Sequence, residues 1–384
     1  MSAELEYKPD WEETKQRYLA WWNREDFGRC GLAVRAPRKG VAFAERATIP
    51  PVYGLRSVDE PMDEAAPRYP DAIEDRWLDL VYIRRSNEYR MRRTYYGGEA
   101  LPVWNAGYPG WDAIWAFLGC PIELAEETGW SHPILHAPRL SDHDCRELVI
   151  PPDNRWWQFA ERVHRFAVEE SRGKSLPGIQ GIGGCGDTLA ALRGTERLLF
   201  DVMDCPDSVR EFDQYLMKQW FDVYEKFFQI TREGAEGSTA WTNLWSPGRY
   251  YLPHNDFSCM ISPEQFRRIF LPSLEMQTRY LDHSIYHLDG EMAYMHVDAL
   301  CELPRLTGLQ ILTSTGKSVL QYLDVLKKVQ RAGKNLWFIL KPEEVRDSLE
   351  NLSSRGLFID TDCASEAEAR SLLANAEKWS KVRD

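Results

Sequence analysis

From residue 284 onward, apolar residues alternate between two spacings. Short runs rich in β-branched and aromatic residues read as strands over 284–288, 306–312, 336–340 and 357–360. Between and after them, apolar positions three and four apart predict helices over 293–300, 319–331, 343–352 and 366–378. Upstream the rhythm is slower. Strands are expected over 178–183 and 238–243, with helices over 187–192 and 209–231, and residues 154–170 form a strongly amphipathic helix. Ser262-Pro263-Glu264 marks a helix start: the hydroxyl caps, the proline presets the first turn, and the acid suits the helix dipole. Nearer the N-terminus, 11–23 reads as a helix with an aromatic face of Trp11, Tyr18, Trp21 and Trp22. Residues 31–37 and 101–106 read as strands, 70–85 and 111–118 as helices, and 41–70 as loop.

Adding 32–36 and 103–106 to the six later strands makes eight, most separated by helices. Parallel strands joined by helical crossovers predict a single (β/α)8 TIM barrel over 1–384, with 1–30 a helical segment packed on it. The long early connections are expected to cover the barrel mouth.

Composition narrows the function. The chain has 384 residues, with 47 basic and 59 acidic side chains and a net charge of -12. That balance argues against nucleic acid and anionic membrane surfaces as partners. No run approaches the roughly 20 apolar residues of a membrane span, and Met1 to Asp10 lacks a secretory pattern. Eight widely spaced cysteines with no CxxC suggest buried thiols in a reducing cytoplasm.

In such barrels chemistry gathers where strands end at the carboxyl face. The densest group is Tyr286-His-Leu-Asp-Gly290, in which His287 and Asp289 share one face of an extended chain. Cys363, just past the eighth strand, is expected across the mouth from that pair. One imidazole, one carboxylate and one thiolate make an open zinc set; the bland alternative is a His–Asp hydrogen bond beside an inert cysteine. The loop Trp241-Thr-Asn-Leu-Trp-Ser-Pro-Gly-Arg-Tyr-Tyr251 offers Asn243, Trp245, Arg249 and Tyr250 as substrate contacts, or else a packed aromatic loop. His254 and Asp256 form a candidate proton-handling pair. The glycine cluster Gly181-Ile-Gly-Gly-Cys-Gly186 matches neither a Rossmann fingerprint nor a P-loop, so no nucleotide is expected there.

Four segments carry a resemblance: Gly186-Asp-Thr-Leu-Ala-Ala-Leu-Arg-Gly194, Asp256-Phe-Ser-Cys-Met-Ile-Ser-Pro-Glu264, Ser284-Ile-Tyr-His-Leu-Asp-Gly290 and Leu357-Phe-Ile-Asp-Thr-Asp-Cys363. In order and spacing they resemble the uroporphyrinogen decarboxylase superfamily, which includes cobamide-dependent methyltransferases. The resemblance spans Gly178 to the C-terminus, and the first half more loosely through Gly97-Gly-Glu-Ala-Leu-Pro102 and 111–119. It implies the same barrel. The decarboxylase's arginine-rich R-x-x-G-R motif is missing from Leu32-Ala-Val-Arg-Ala-Pro-Arg38, which points away from a porphyrinogen substrate.

The methyltransferase branch carries a zinc site of the type H-x-C plus a distant cysteine. Carried over, His287 matches the histidine, Asp289 stands where the first cysteine would be, and Cys363 matches the distant one. The resemblance therefore implies a zinc-dependent transfer of a methyl group from a small O- or N-methylated compound to a cobamide on a partner corrinoid protein. Catalysis would fall to Asp256, His287 and Asp289. Asn243 and Arg249 would orient the substrate, Trp245 and Tyr250 would wall the site, and His254 would complete it. The alternatives are a metal-independent lyase or decarboxylase, with Arg249 gripping a carboxylate and Asp256 or His287 handling the proton, and a non-catalytic small-molecule-binding barrel. The resemblance also makes a homodimer an expectation.

Overall fold

The computed structural model describes residues 4–38, 67–68, 70–105, 113–126, 128–242 and 244–383. Thirteen strands occur among them: β1 (Gly31–Pro37), β2 (Thr94–Gly98), β3 (Val103–Trp104), β4 (Ile122–Leu124), β5 (Gly129–Ser131), β6 (Leu176–Pro177), β7 (Ser238–Thr239), β8 (Trp245–Ser246), β9 (Tyr250–Tyr251), β10 (His283–Leu288), β11 (Gly308–Ile311), β12 (Asn335–Ile339) and β13 (Leu357–Asp362). Seven join in one curled sheet of order β2-β1-β13-β12-β11-β10-β9, parallel at every pairing except β1 with β2. A parallel pair β3-β6 and two small antiparallel pairs, β4-β5 and β7-β8, stand beside it. The fold is mixed α/β, with helices between successive parallel strands as crossovers require. Among the described residues no helix is long and apolar enough to cross a membrane.

The later elements form as the pattern predicts, because strands buried on both faces leave continuous apolar runs. β1 is buried along its whole length. The helix Pro263–Ile269 begins with a capping box in which Ser262 Oγ accepts from Gln265 N–H and Gln265 Oε1 accepts from Ser262 N–H. Upstream, the expected strands shrink. Over 178–183 only the preceding Leu176–Pro177 enters a ladder, since Gly183 turns at φ +81° straight into the helix Cys185–Arg193. The helix expected over 70–85 is two, Ile73–Leu78 and Leu80–Arg93. Asp79 separates them, and its carboxylate accepts the Val81 and Tyr82 N–H groups. β2 follows that second helix with no turn residue between, so spacing alone conceals it.

The N-terminal helix Trp11–Trp22 lies against the amino ends of the strands. Tyr18 and Trp21 pack on Phe358 of β13 at 5.8 and 5.1 Å, while Trp22 stacks on His283 of β10 at 4.4 Å. Trp22 Nε1–H donates to the Trp245 carbonyl. With that end filled by aromatic rings, the carboxyl ends are left for chemistry.

Glu99 fastens the helix to the sheet. It is wholly buried, accepts from Arg29 through both oxygens at 2.6 and 2.8 Å, and takes further bonds from Arg17 Nε and Leu32 N–H. Burial pushes its pKa up, but Arg29, Arg17 and the Leu32 amide outweigh that and hold it at about 2. A carboxylate held below its ordinary value of 4.5 contributes stability that is complete above pH 4.5 and lost as pH falls toward 2. Glu99→Ala leaves Arg29 buried and unpaired and is expected to cost about 3–5 kcal/mol in chemical denaturation at pH 7. The gap from wild type should narrow as pH falls from 4.5 toward 2; a gap that does not depend on pH would refute this role.

Candidate active site

In-register parallel neighbours point their side chains the same way. The pairings His287 with Gln310, Gln310 with Trp337 and Trp337 with Phe358 therefore place these four side chains on one face. Phe358 meets the N-terminal helix on that face, so it is the inner one. Two and four residues further along β13 come Asp360 and Asp362, and Arg35 of β1 pairs with Asp362, so the same alternation brings all three inward.

His287 Nδ1–H donates to Gln310 Oε1 at 2.5 Å, which orients the ring and leaves the Nε2 lone pair for a substrate or metal. Burial lowers its pKa, although Asp256 and Gln310 act the other way. The imidazole is neutral at pH 7.

His254 stands beside it. The segment 250–254 runs parallel to β10: Tyr250 pairs with His283, His254 bridges to His287, and His287 N–H donates to the Pro253 carbonyl. The two imidazole centroids are 6.3 Å apart and perpendicular, and half-buried Trp241 lies edge-on to both. His254 Nε2 reaches to 3.8 Å from Asp187 Oδ2. Asp187 sits in the first turn of the helix Cys185–Arg193 and accepts from the Asp256 and Phe257 amides at 2.9 and 2.8 Å. Burial raises its pKa to about 6, helped by the Asp256 charge and opposed by His254 and the two amides. With its own carboxylate at that turn, the glycine cluster gains no phosphate cradle.

Asp187 and Asp256 also line a cleft of about 540 Å³ with Trp115 and Met260 on its walls. Asp256 and Asp289 are both exposed, Asp289 immediately past β10, before Gly290 turns the chain at φ +79°.

The other expected site residues are elsewhere. Trp245, Arg249 and Tyr250 stand at the amino end of β10, about 13 Å along the strand from His287 at 3.3 Å per residue. Trp245 is buried edge-on to Trp11, and its Nε1–H donates to the Ala235 carbonyl. Tyr250 is fully buried against Trp22. Arg249 forks onto Glu225 at 3.0 and 3.2 Å and covers the rings of Phe228 and Tyr280. Cys363 follows Asp362, so continued alternation turns its side chain away from the inner face. Its thiol is 3 % exposed and pushed up to about 12, by burial first and then by the charges of Glu368 and Asp362. β12 and β11 separate β13 from β10. Asn243 lies outside the described residues.

Two functional candidates escaped the sequence reading. Asp187 stands in the sequence only within the segment Gly186–Gly194 that carries the resemblance, with no role of its own. Arg35, 5 % exposed, bridges Asp360 at 2.7 Å and Asp362 at 2.9 Å on the inner face. Its signal was available: a lone charge among apolar neighbours, opposite two aspartates spaced two apart. Other histidines are structural. His164 is stacked on Phe227 and lowered to about 4 by burial, and His296 is fixed on the Ser258 carbonyl.

No protein-family model matches the chain, and neither does any curated protein. The case for a site therefore rests on geometry.

Titrating Asp187 by carboxyl-carbon NMR should give a midpoint near 6. Asp256→Asn should lower that midpoint and His254→Phe should raise it; no shift in either variant would show that the three groups do not share a site.

Proposed function

We propose that this chain is a zinc-dependent enzyme that moves a methyl group from a small O- or N-methylated compound to a cobamide on a partner corrinoid protein. The observation that carries the reading is the convergence of His287, His254, Asp256 and Asp187 at the carboxyl end of β10, in a rim richer in carboxylates than in cations. Such a rim favours a neutral or cationic methylated substrate over an anionic one. Trp241 adds an aromatic wall suited to a methylated ammonium.

We take the barrel to be a closed (β/α)8, with β3, β6 and β7 joining β1, β10, β11, β12 and β13 as its eight strands. Supporting this, Gly178 N–H donates to the Trp104 carbonyl, Ile179 N–H to the Thr239 carbonyl, and the Thr239 hydroxyl to the Pro177 carbonyl.

His287 and Asp289 fit a zinc ion: one offers an oriented Nε2 with Gln310 behind it, the other a free carboxylate. Cys363 becomes a third ligand only if its thiol ionises and turns inward. Bound zinc would supply Lewis acidity at the heteroatom that loses the methyl group. The chain's own groups do the rest. When the methyl group leaves an oxygen or a neutral nitrogen, that heteroatom keeps the bonding pair and needs a proton, whereas a methylated ammonium would depart as a neutral amine and need none. Asp187, held near 6, and His254, 3.8 Å away, are placed to deliver that proton. Trp241 and Asp256 hold the substrate against that pair. The lyase reading loses its support, since Arg249 is engaged at the other end of the strands and the inner arginine, Arg35, is already held by two aspartates.

Elemental analysis of chelator-free protein should find about one zinc per chain in wild type and none in His287→Ala. With reduced cobamide and a panel of methyl ethers and methylated amines, His287→Ala should lower kcat/KM at least ~100-fold. Arg249→Ala should leave it within a few-fold. Metal-free wild type after zinc is offered back, or a strong Arg249→Ala defect with His287→Ala active, would overturn the assignment.

A further inference from the structure

Behind the mouth lies a second polar cluster that this reaction scheme does not use. The helix Pro206–Ala235 carries Asp213, wholly buried, and packs against the helix Leu271–Tyr280, where Ser273 and Gln277 stand one turn apart and equally buried. The Ser273 hydroxyl is the one polar side chain within hydrogen-bonding reach of Asp213 among the described residues, and neither amide atom of Gln277 finds a hydrogen bond among them. Among the described residues no cation acts on Asp213. The groups that influence its charge are Ser273, which favours the ionised form, and Asp187, which opposes it; Cys185 also lies within its field.

Similar groups stand on and against the helix Cys185–Arg193, which also carries Asp187. Cys185 interacts with both Asp213 and Asp187. Thr188 and Asn255 are 1 % and 3 % exposed, and the Thr188 hydroxyl and both Asn255 amide atoms lack partners among the described residues. The backbone comes close to this amide. A Cβ on Gly186 would stand 2.5 Å from Asn255 Oδ1, so only glycine lets the helix Cys185–Arg193 lie against it. Buried polar groups left without partners are too costly to persist, and where they cluster, internal water completes their bonds.

We propose that Asp213, Ser273 and Gln277 enclose buried water and form an internal proton-holding site, connected to Asp187 at the mouth past Thr188 and Asn255. Asp213 is the carrier. A buried carboxylate with no cation beside it is far less stable than the neutral acid, and burial pushes this one up to about 8. The ionisable groups facing it, Asp187 and Cys185, both come from the helix Cys185–Arg193; the helix Leu271–Tyr280 contributes only Ser273 and Gln277. When Asp187 has given up its proton, the O–H bond of Asp213 breaks with the electron pair staying on Asp213. Water takes that proton and passes one of its own to Asp187, an uphill step because Asp213 holds its proton more tightly, drawn forward as the leaving group takes the proton from Asp187. The reverse path refills the store. The inference concerns proton supply, and it holds whether the substrate is a methylated compound or a carboxylate.

Infrared spectroscopy of the full chain tests it. At pH 7 wild type should show a protonated-carboxyl stretch that disappears with a midpoint near 8 and is missing from Asp213→Asn. Ser273→Ala should move that midpoint up, and Asp187→Asn should move it down by up to about one unit. If Asp213→Asn fails to fold, the wild-type titration and the other two variants still decide. A carboxylate spectrum at pH 7, whether from a bare or an ion-held Asp213, would overturn the store. A midpoint indifferent to Asp187→Asn would overturn the connection.

Discussion

The burial of Glu99 is the constraint on which the rest of the structure depends. A carboxylate cannot sit in the core alone, so it gathers Arg29, Arg17 and the Leu32 amide around it. Those bonds join the N-terminal helix, the start of β1 and the turn after β2. The tyrosine one residue beyond Arg17 completes the joint, since Tyr18 OH donates to the Glu99 carbonyl at 2.7 Å. With the helix held there, Tyr18 and Trp21 fill the inner face below Phe358, and Trp22 closes over His283. Loosening that corner would flood the amino end and remove the rigid base beneath the strands that carry His287 and Arg35.

The two ends of the strands are built from different chemistry. At the amino end, polar side chains are consumed by structure: Arg249 by Glu225, Trp245 by a backbone carbonyl, Tyr250 by the Thr242 hydroxyl. At the carboxyl end, groups keep free valences, as His287 does at Nε2 and Asp289 at its carboxylate. The acids there differ in task because their surroundings differ. Asp187 is shielded and raised to about 6, while Asp256 stands in solvent two residues from His254.

Much of this was legible in the sequence, and the boundary has physical causes. Fully buried strands such as β12 and β13 announce themselves as apolar runs, and the capping residues at Ser262 mark their helix to the residue. His287, His254, Asp256 and Asp289 were singled out because strand ends collect chemistry, and the two histidines stand side by side at the carboxyl end of β10. The misplacement of Trp245, Arg249 and Tyr250 has one origin: β8 and β9 are two-residue strands that return the chain to the amino end before it climbs again toward His254. No spacing rule reports such a detour. Cys363 illustrates a parity problem, because a residue just past a strand can be close in sequence to the mouth and still face the outer helices. Asp213 was hidden for a simpler reason: one acid in a long amphipathic helix looks like surface until its partner helix is known.

The attachment of His254 has a consequence for how this scaffold can change. Its backbone is held beside His287 by main-chain bonds, the Pro253 carbonyl taking the His287 amide, and its own ring adds only a bond from Nδ1 to the Leu252 carbonyl at 3.2 Å. The residue at 254 is therefore a modular socket. Exchanging it for an acid, an amide or an apolar side chain would alter what is presented to the neighbouring imidazole without disturbing the stitching that holds the segment. A lineage built on this chain could explore new reactions there at little risk to folding, whereas the same freedom is denied at Gln310, whose amide orients the ring itself.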